Sequence, residues 1–367
     1  MSNLHKAIIK LVLMSLFLLG LPLLGTVLAG KPISPYLQFP PLTDFVSQAP
    51  FSWNVFFTYG LLDLISIAIL IFISLPAHSS LDTPPHRHYP WWGWLSLIWL
   101  GFAWAYSWGH FAWSDLLNQF KFTLIWIGYI LVINAWTWKR RGCCLLTERF
   151  AYLLLLFPTS VLFWWYFEYL NRFVQNWHYL GVENQSPLEY SLQASAAFST
   201  VLPAVISTIE MLKTLPYFRP HRRFKMPLNI KYPGLIAWLV LLIASAGLVG
   251  TGIKPNYFYS LLWVSPLLIF VSLQVLLGEK TYFSALSQGQ YLVIILPVVA
   301  GIGCGFLWEM WNYYSYPKWA YTVPYVQRFK LFEMPILGYA GYFPFGLECA
   351  VIADFVLRLT PYSDKQP

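Results

Sequence analysis

Ten mostly apolar stretches of 17 to 25 residues run through this chain: Leu11–Ala29, Val55–Leu75, Trp91–Trp108, Phe122–Trp138, Phe150–Asn171, Tyr190–Leu212, Gly234–Thr251, Tyr257–Leu277, Tyr291–Trp311 and Pro335–Leu359. A bilayer core about 30 Å thick is crossed by a helix of roughly 20 such residues. Within it, only helices or closed barrels satisfy every backbone polar group. The expectation is an all-α, polytopic helical membrane protein with about ten transmembrane helices. Composition agrees, since only 10% of residues are charged against about 25% in soluble domains. Aromatic residues reach 19%, and Trp and Tyr favour the water–lipid interface. The formal charge of +8 then belongs to loops that set topology. No soluble basic surface interleaved with aromatics is present, which argues against nucleic acid as a partner.

The 23 Lys and Arg divide unevenly across the expected spans. With the N-terminus inside, the inner segments hold sixteen and the outer ones seven (16 + 7 = 23). The positive-inside rule then puts both termini in the cytoplasm. The first stretch follows Lys6 and Lys10 and precedes Leu28-Ala29-Gly30, a pattern shared with cleavable signal peptides. Its apolar run is long for a signal, which favours a retained anchor. The four cysteines form no C-x-x-C pair and are expected to stay reduced.

An unusual phrase occurs twice. Glu168 is followed by Asn171 and by Trp177-x-Tyr179, and Glu309 by Asn312 and by Trp319-x-Tyr321. Further out, Glu189 matches Glu333 with a three-residue length difference. Glu210 matches either Asp354, without a gap, or Glu348, with one. These matches organise the chain as residues 1–88, an anchor or signal-like helix plus one further helix; 89–216, a first four-helix repeat; 217–231, a basic cytoplasmic linker; 232–361, a second repeat; and 362–367, a polar tail. Four spans is an even number, so the duplication is parallel, about an axis along the membrane normal. Glu168 and Glu309 are then expected at one depth near the outer leaflet, facing each other.

Carboxylates in membrane helices are costly and often mark sites. Glu168, Glu309 and Glu348 are therefore the candidate catalytic acids and bases. Glu-x-x-Asn spacing puts Asn171 and Asn312 on the same helix faces as their glutamates, as orienting groups. Glu189, Glu333, Trp177, Trp319, Tyr179 and Tyr321 complete the candidate binding set, the aromatic residues as a lid that shields a cationic species. The alternative for the same carboxylates is interhelical hydrogen bonding. Asp63 has no counterpart in the repeat and is read as pairing within the bundle. His86 and His88 lack a third ligand nearby, and His110 and His178 are isolated, so no metal site is expected. No Gly-rich phosphate loop or other cofactor motif occurs.

The segments "WWYFEYLNRFVQNWHY" and "WEMWNYYSYPKWAYTVPYV…FEMPILGYAGYFPFGLE" resemble a family of bacterial multi-pass membrane proteins that brings no assigned function with it. The resemblance implies the bacterial inner membrane. At a greater distance, Trp308-Glu309 is similar to the Trp-acidic element of the small membrane lycopene cyclases, which are duplicated helical proteins. The first copy has Phe167 before Glu168, and Pro344 precedes Glu348 by four residues; both differ from the cyclase pattern. Two functions follow. One is an intramembrane acid/base enzyme acting on a lipid or isoprenoid, with membrane lipid as its partner. The other is a transporter, a channel or a non-catalytic subunit with partners in a membrane complex.

Overall fold

The computed structural model describes residues 3–41, 44–74, 87–109, 111, 115–218 and 227–362. His86, His110, the basic run at 219–226 and the tail from 363 lie outside the described residues.

A helix occupies each of the ten apolar stretches: α1 (Asn3–Leu28), α2 (Trp53–Ser74), α3 (Trp91–Gly109), α4 (Lys121–Arg141), α5 (Phe150–Val174), α6 (Pro187–Leu212), α7 (Pro233–Ile253), α8 (Ser265–Leu276), α9 (Leu292–Tyr313) and α10 (Tyr342–Arg358). Six segments are long and apolar enough to cross a membrane: α2, α5, α6, α7, α9 and Ile336–Arg358. A seventh is added if the bent pair Pro255–Trp263 and Ser265–Leu276 is one span. The chain is thus a mostly helical, multi-pass membrane protein. Helices α3 and α4 coincide with expected stretches but are not apolar enough to be counted with the six, being rich in Trp and Tyr.

Three helices depart from simple rods, each for a local reason. The eighth stretch bends by 55° ahead of α8, where Pro266 has no N–H to continue the helical ladder. Helix α6 breaks after Phe198. There Ser160 of α5 donates its hydroxyl to the Phe198 carbonyl at 2.5 Å and accepts the Leu202 N–H at 3.0 Å. One side chain thus satisfies the backbone groups freed by the break, as a membrane interior requires. The tenth stretch is not a helix from Pro335. Pro335 pairs in a short strand, a 3-10 turn spans Ile336–Gly341, and regular helix begins at Tyr342. Pro344 falls in the first turn, where an N–H would be unpaired anyway.

The fold is not purely helical. Trp177–Leu180 (β1) and Lys318–Tyr321 (β2) pair antiparallel, and Lys330–Leu331 (β3) pairs with Met334–Pro335 (β4). Strands of two to four residues leave no periodic signal, which is why the all-α expectation missed them.

Helices α3 and α4 pack together, as do α7 and α8, while α5, α6, α9 and α10 form the centre with Trp126, Trp311 and Phe167 buried among them. Helix α10 lies very close to α9. A Cβ on Gly346 would sit 2.1 Å from the Pro297 carbonyl oxygen, and one on Gly301 would sit 2.6 Å from that of Tyr342. Small residues permit such backbone approach in membranes. Gly346→Val is expected to destabilise the protein by roughly 1–3 kcal/mol, measured by thermal unfolding in detergent. Gly303→Ala on α9, with nothing within 4 Å of the new methyl, should be neutral, and equal effects of the two would refute this account of the crossing.

Candidate functional site

Glu168 sits in the last two turns of α5 and Glu309 in the last two turns of α9, and both are fully buried. Aromatic donors surround each. Oε1 of Glu168 accepts from the Trp164 indole at 3.0 Å, the Trp177 indole at 3.1 Å and the Tyr179 hydroxyl at 2.5 Å. Oε1 of Glu309 accepts from the hydroxyls of Tyr321 at 2.7 Å and Tyr342 at 2.9 Å. The Trp319 indole completes that set by donating to the Tyr321 oxygen at 3.0 Å. Tyr342 reaches Glu309 because its ring lies over Gly305, where any Cβ would be 2.4 Å from the ring. Burial and the adjacent carboxyls push the Tyr179 and Tyr321 hydroxyls well above the ordinary phenol range. Both therefore stay protonated and donate. The second oxygen of each glutamate has no hydrogen-bond partner among the described residues.

Asn171 and Asn312 do something other than orient the carboxyls. Asn171 donates to the Trp177 carbonyl at 2.8 Å and accepts the Asn176 N–H at 2.8 Å. Asn312 donates to the Trp319 carbonyl at 2.8 Å and accepts the Trp319 N–H at 3.0 Å. Each amide mimics a strand neighbour and fixes its aromatic strand against the end of its helix. In the resulting ribbon Trp177 lies opposite Tyr321, and Tyr179 opposite Trp319. Residues two apart, and residues directly opposite, share a face of an antiparallel pair. All four side chains therefore project to one side, where they meet the glutamates.

That side is a cavity of about 710 Å³, within the range of small-molecule sites. Trp164, Trp177, Tyr179, Trp319, Tyr321 and Tyr342 all line it. Glu168, Glu309 and Glu348 do not. The two hydrogen-bonded glutamates stand one layer behind the aromatic wall, in two separate cages with no shared donor. Glu348 is buried in α10 and is hydrogen-bonded to neither cage among the described residues.

The remaining matched acids also lie outside the cavity wall. Glu189 is an exposed capping residue: it accepts the Ser186 N–H at 2.8 Å while Ser186 accepts the Glu189 N–H. The Ser186-x-x-Glu189 spacing is a capping-box signature present in the sequence. Glu333 instead forms an ion pair with Lys318. Glu210 and Asp354 are placed alike, each near the end of its helix and paired with a following base: Lys213 at 2.7 Å and Arg358 at 2.6 Å. All four cysteines are free. Among the described residues, no group of three or more His, Cys, Asp or Glu is placed to hold a metal.

One acidic lining residue lies outside the duplicated segments. Asp63, on the outlying helix α2, borders the cavity beside Tyr59 and Ser66. Its signal in the sequence was an acidic residue in the middle of an apolar span, overlooked because no repeat partner accompanied it.

No family model, curated protein or solved structure matches the chain, so its chemistry is argued from this geometry. Glu168→Ala would strand three donors, at about 1–3 kcal/mol for each left unmade, whereas Glu168→Gln keeps an acceptor oxygen. Chemical denaturation should find the alanine variant strongly destabilised and the glutamine variant near wild type. Indistinguishable variants would show that the cage does not hold the ribbon.

Proposed function

We propose that this protein binds a lipid- or isoprenoid-type molecule in the aromatic cavity and performs acid/base chemistry on it through Tyr179, Tyr321 and Tyr342. The observation that carries the reading is that every one of these tyrosines lines the cavity and gives its hydroxyl proton to a buried glutamate. A tyrosine oxygen that takes a proton from the substrate passes its own proton to the glutamate in the same step. The ring wall excludes water from that exchange. The glutamates then serve as proton acceptors one bond removed from the substrate, and the asparagines as anchors of the ribbon.

The reading includes a parallel duplication of a four-helix unit within a ten-span chain. Its support is the recurrence of the Glu–aromatic cage, the Asn–strand clamp and the terminal ion pair in both halves. The antiparallel exchange of Trp177/Tyr321 with Tyr179/Trp319 is also what two equivalent strands make across an axis normal to the membrane. Basic groups including Arg141, Lys213 and Arg358 gather at the helix ends remote from the ribbon. By the positive-inside rule that end faces the cytoplasm of a bacterial inner membrane, and the ribbon faces outward.

The test is to purify the protein in a mild neutral detergent and analyse co-purifying lipids by mass spectrometry, then compare lipid extracts of cells with wild-type protein and with Tyr321→Phe. A specific apolar species is expected to co-purify, and the variant should retain it while product formation falls by about 100-fold or more, the usual scale of a lost acid/base group. Identical lipid profiles in wild-type and deletion cells would end the enzyme reading and leave a transport or subunit role for the same cavity.

A further inference from the structure

The way the aromatic wall is wired specifies the charge of what it holds. Eleven cavity-lining Trp and Tyr rings carry polar hydrogens, and six of them are wired together around the two glutamates: Trp164, Trp177 and Tyr179 on Glu168, Trp319 on Tyr321, and Tyr321 and Tyr342 on Glu309. With their donating edges turned to the glutamates, these residues offer the cavity ring surface rather than hydrogen-bond donors. A ring face is the negative side of an aromatic quadrupole and attracts cations, most strongly for Trp. A phosphate, sulfate or carboxylate needs N–H or O–H donors, and these six residues have turned theirs toward the glutamates.

The charged lining groups point the same way. Among the described residues lining the cavity, only Asp63 and Lys318 carry formal charge. Lys318 is neutralised by its ion pair with Glu333, whereas Asp63 has no cationic partner among the described residues. The cavity-lining Asn176 adds a buried carbonyl oxygen with no partner of its own. Asp63 comes from α2, which contributes no buried residue to the core and reaches the cavity from its lipid-facing flank.

We infer that the cavity selects amphiphiles with a positively charged nitrogen head group, which seats against the aromatic wall with Asp63 as its counter-ion. This inference rests on the reading of the cavity as an amphiphile site and adds the class of its head group. It makes Asp63 a specificity-determining residue distinct from the acid/base pairs.

The experiment uses the full chain in neutral glycoside-detergent micelles, with empty micelles subtracted. Octyltrimethylammonium, octyl sulfate and octyl glucoside are titrated below their micellar concentrations and followed by tryptophan fluorescence. The ammonium probe should bind at least about tenfold more tightly than the sulfate. Asp63→Asn should weaken the ammonium probe by about tenfold and leave the glucoside unchanged, and Asp63→Glu should restore it. Equal affinities for the three heads, tighter sulfate binding, or an unaltered ammonium affinity in Asp63→Asn overturns the inference while the amphiphile site stands. If no probe binds, the amphiphile site itself falls, and this inference with it.

Discussion

Burying a carboxylate in a membrane protein is tolerable only when protein dipoles replace water, and here those dipoles come from indole and phenol groups. Glu168 and Glu309 thereby become organising centres. Each gathers aromatic side chains from separate parts of the chain, and each collects at least one from the β1–β2 ribbon. Remove the acceptor, and Trp177, Tyr179 and Tyr321 have buried polar hydrogens with nowhere to go. The position of the ribbon, the shape of the cavity below it and the seating of Tyr342 on α9 all follow from this need for mutual satisfaction.

The asparagines make the arrangement rigid. A two-stranded ribbon of four residues a side is marginal by itself, and nothing in its own ladder fixes its height over the helices. Asn171 and Asn312 clamp one strand each to the helix that precedes it, so the ribbon inherits the stiffness of α5 and α9. Cross-strand pairing then locks those two helix ends to each other. The aromatic wall is held by rigid elements on both sides, the condition under which a site keeps its geometry when ligand enters.

Much of this was legible in the sequence, though not its wiring. Apolar run lengths placed a helix in each of the ten stretches, of which six, or seven with the bent pair, are long and apolar enough to cross a membrane, and the recurrence of Glu, Asn and Trp-x-Tyr marked the residues that build the cages. The pairing of the two Trp-x-Tyr segments was invisible, since strands this short show no alternation and their partner lies 140 residues away. Equal depth near the outer leaflet says nothing of hydrogen-bond partners, so the two separate aromatic cages around Glu168 and Glu309 could not be read from it. Glu189 misled because a sequence match to Glu333 outweighed a capping box in plain view. Tyr342 escaped because its role depends on Gly305 being bare, a matter of packing between helices that no local pattern encodes. Asp63 was discounted for lacking a twin, yet duplicated scaffolds need not carry symmetric sites.

Helix α1 takes its seat far along the chain. Its Gly25 faces the backbone of α7 so closely that a Cβ there would lie 2.0 Å from the Val249 carbonyl oxygen. Nearby, Lys31 caps the end of α7 through the Gly252 carbonyl, and Tyr169 of α5 holds the Leu19 carbonyl. Synthesis runs from the N-terminus, so α1 is made well before the surface it docks on exists. It must wait without its partner while α2 to α6 are made. A helix made early is therefore placed only once α7 is present, and this contact forms against the order of the chain.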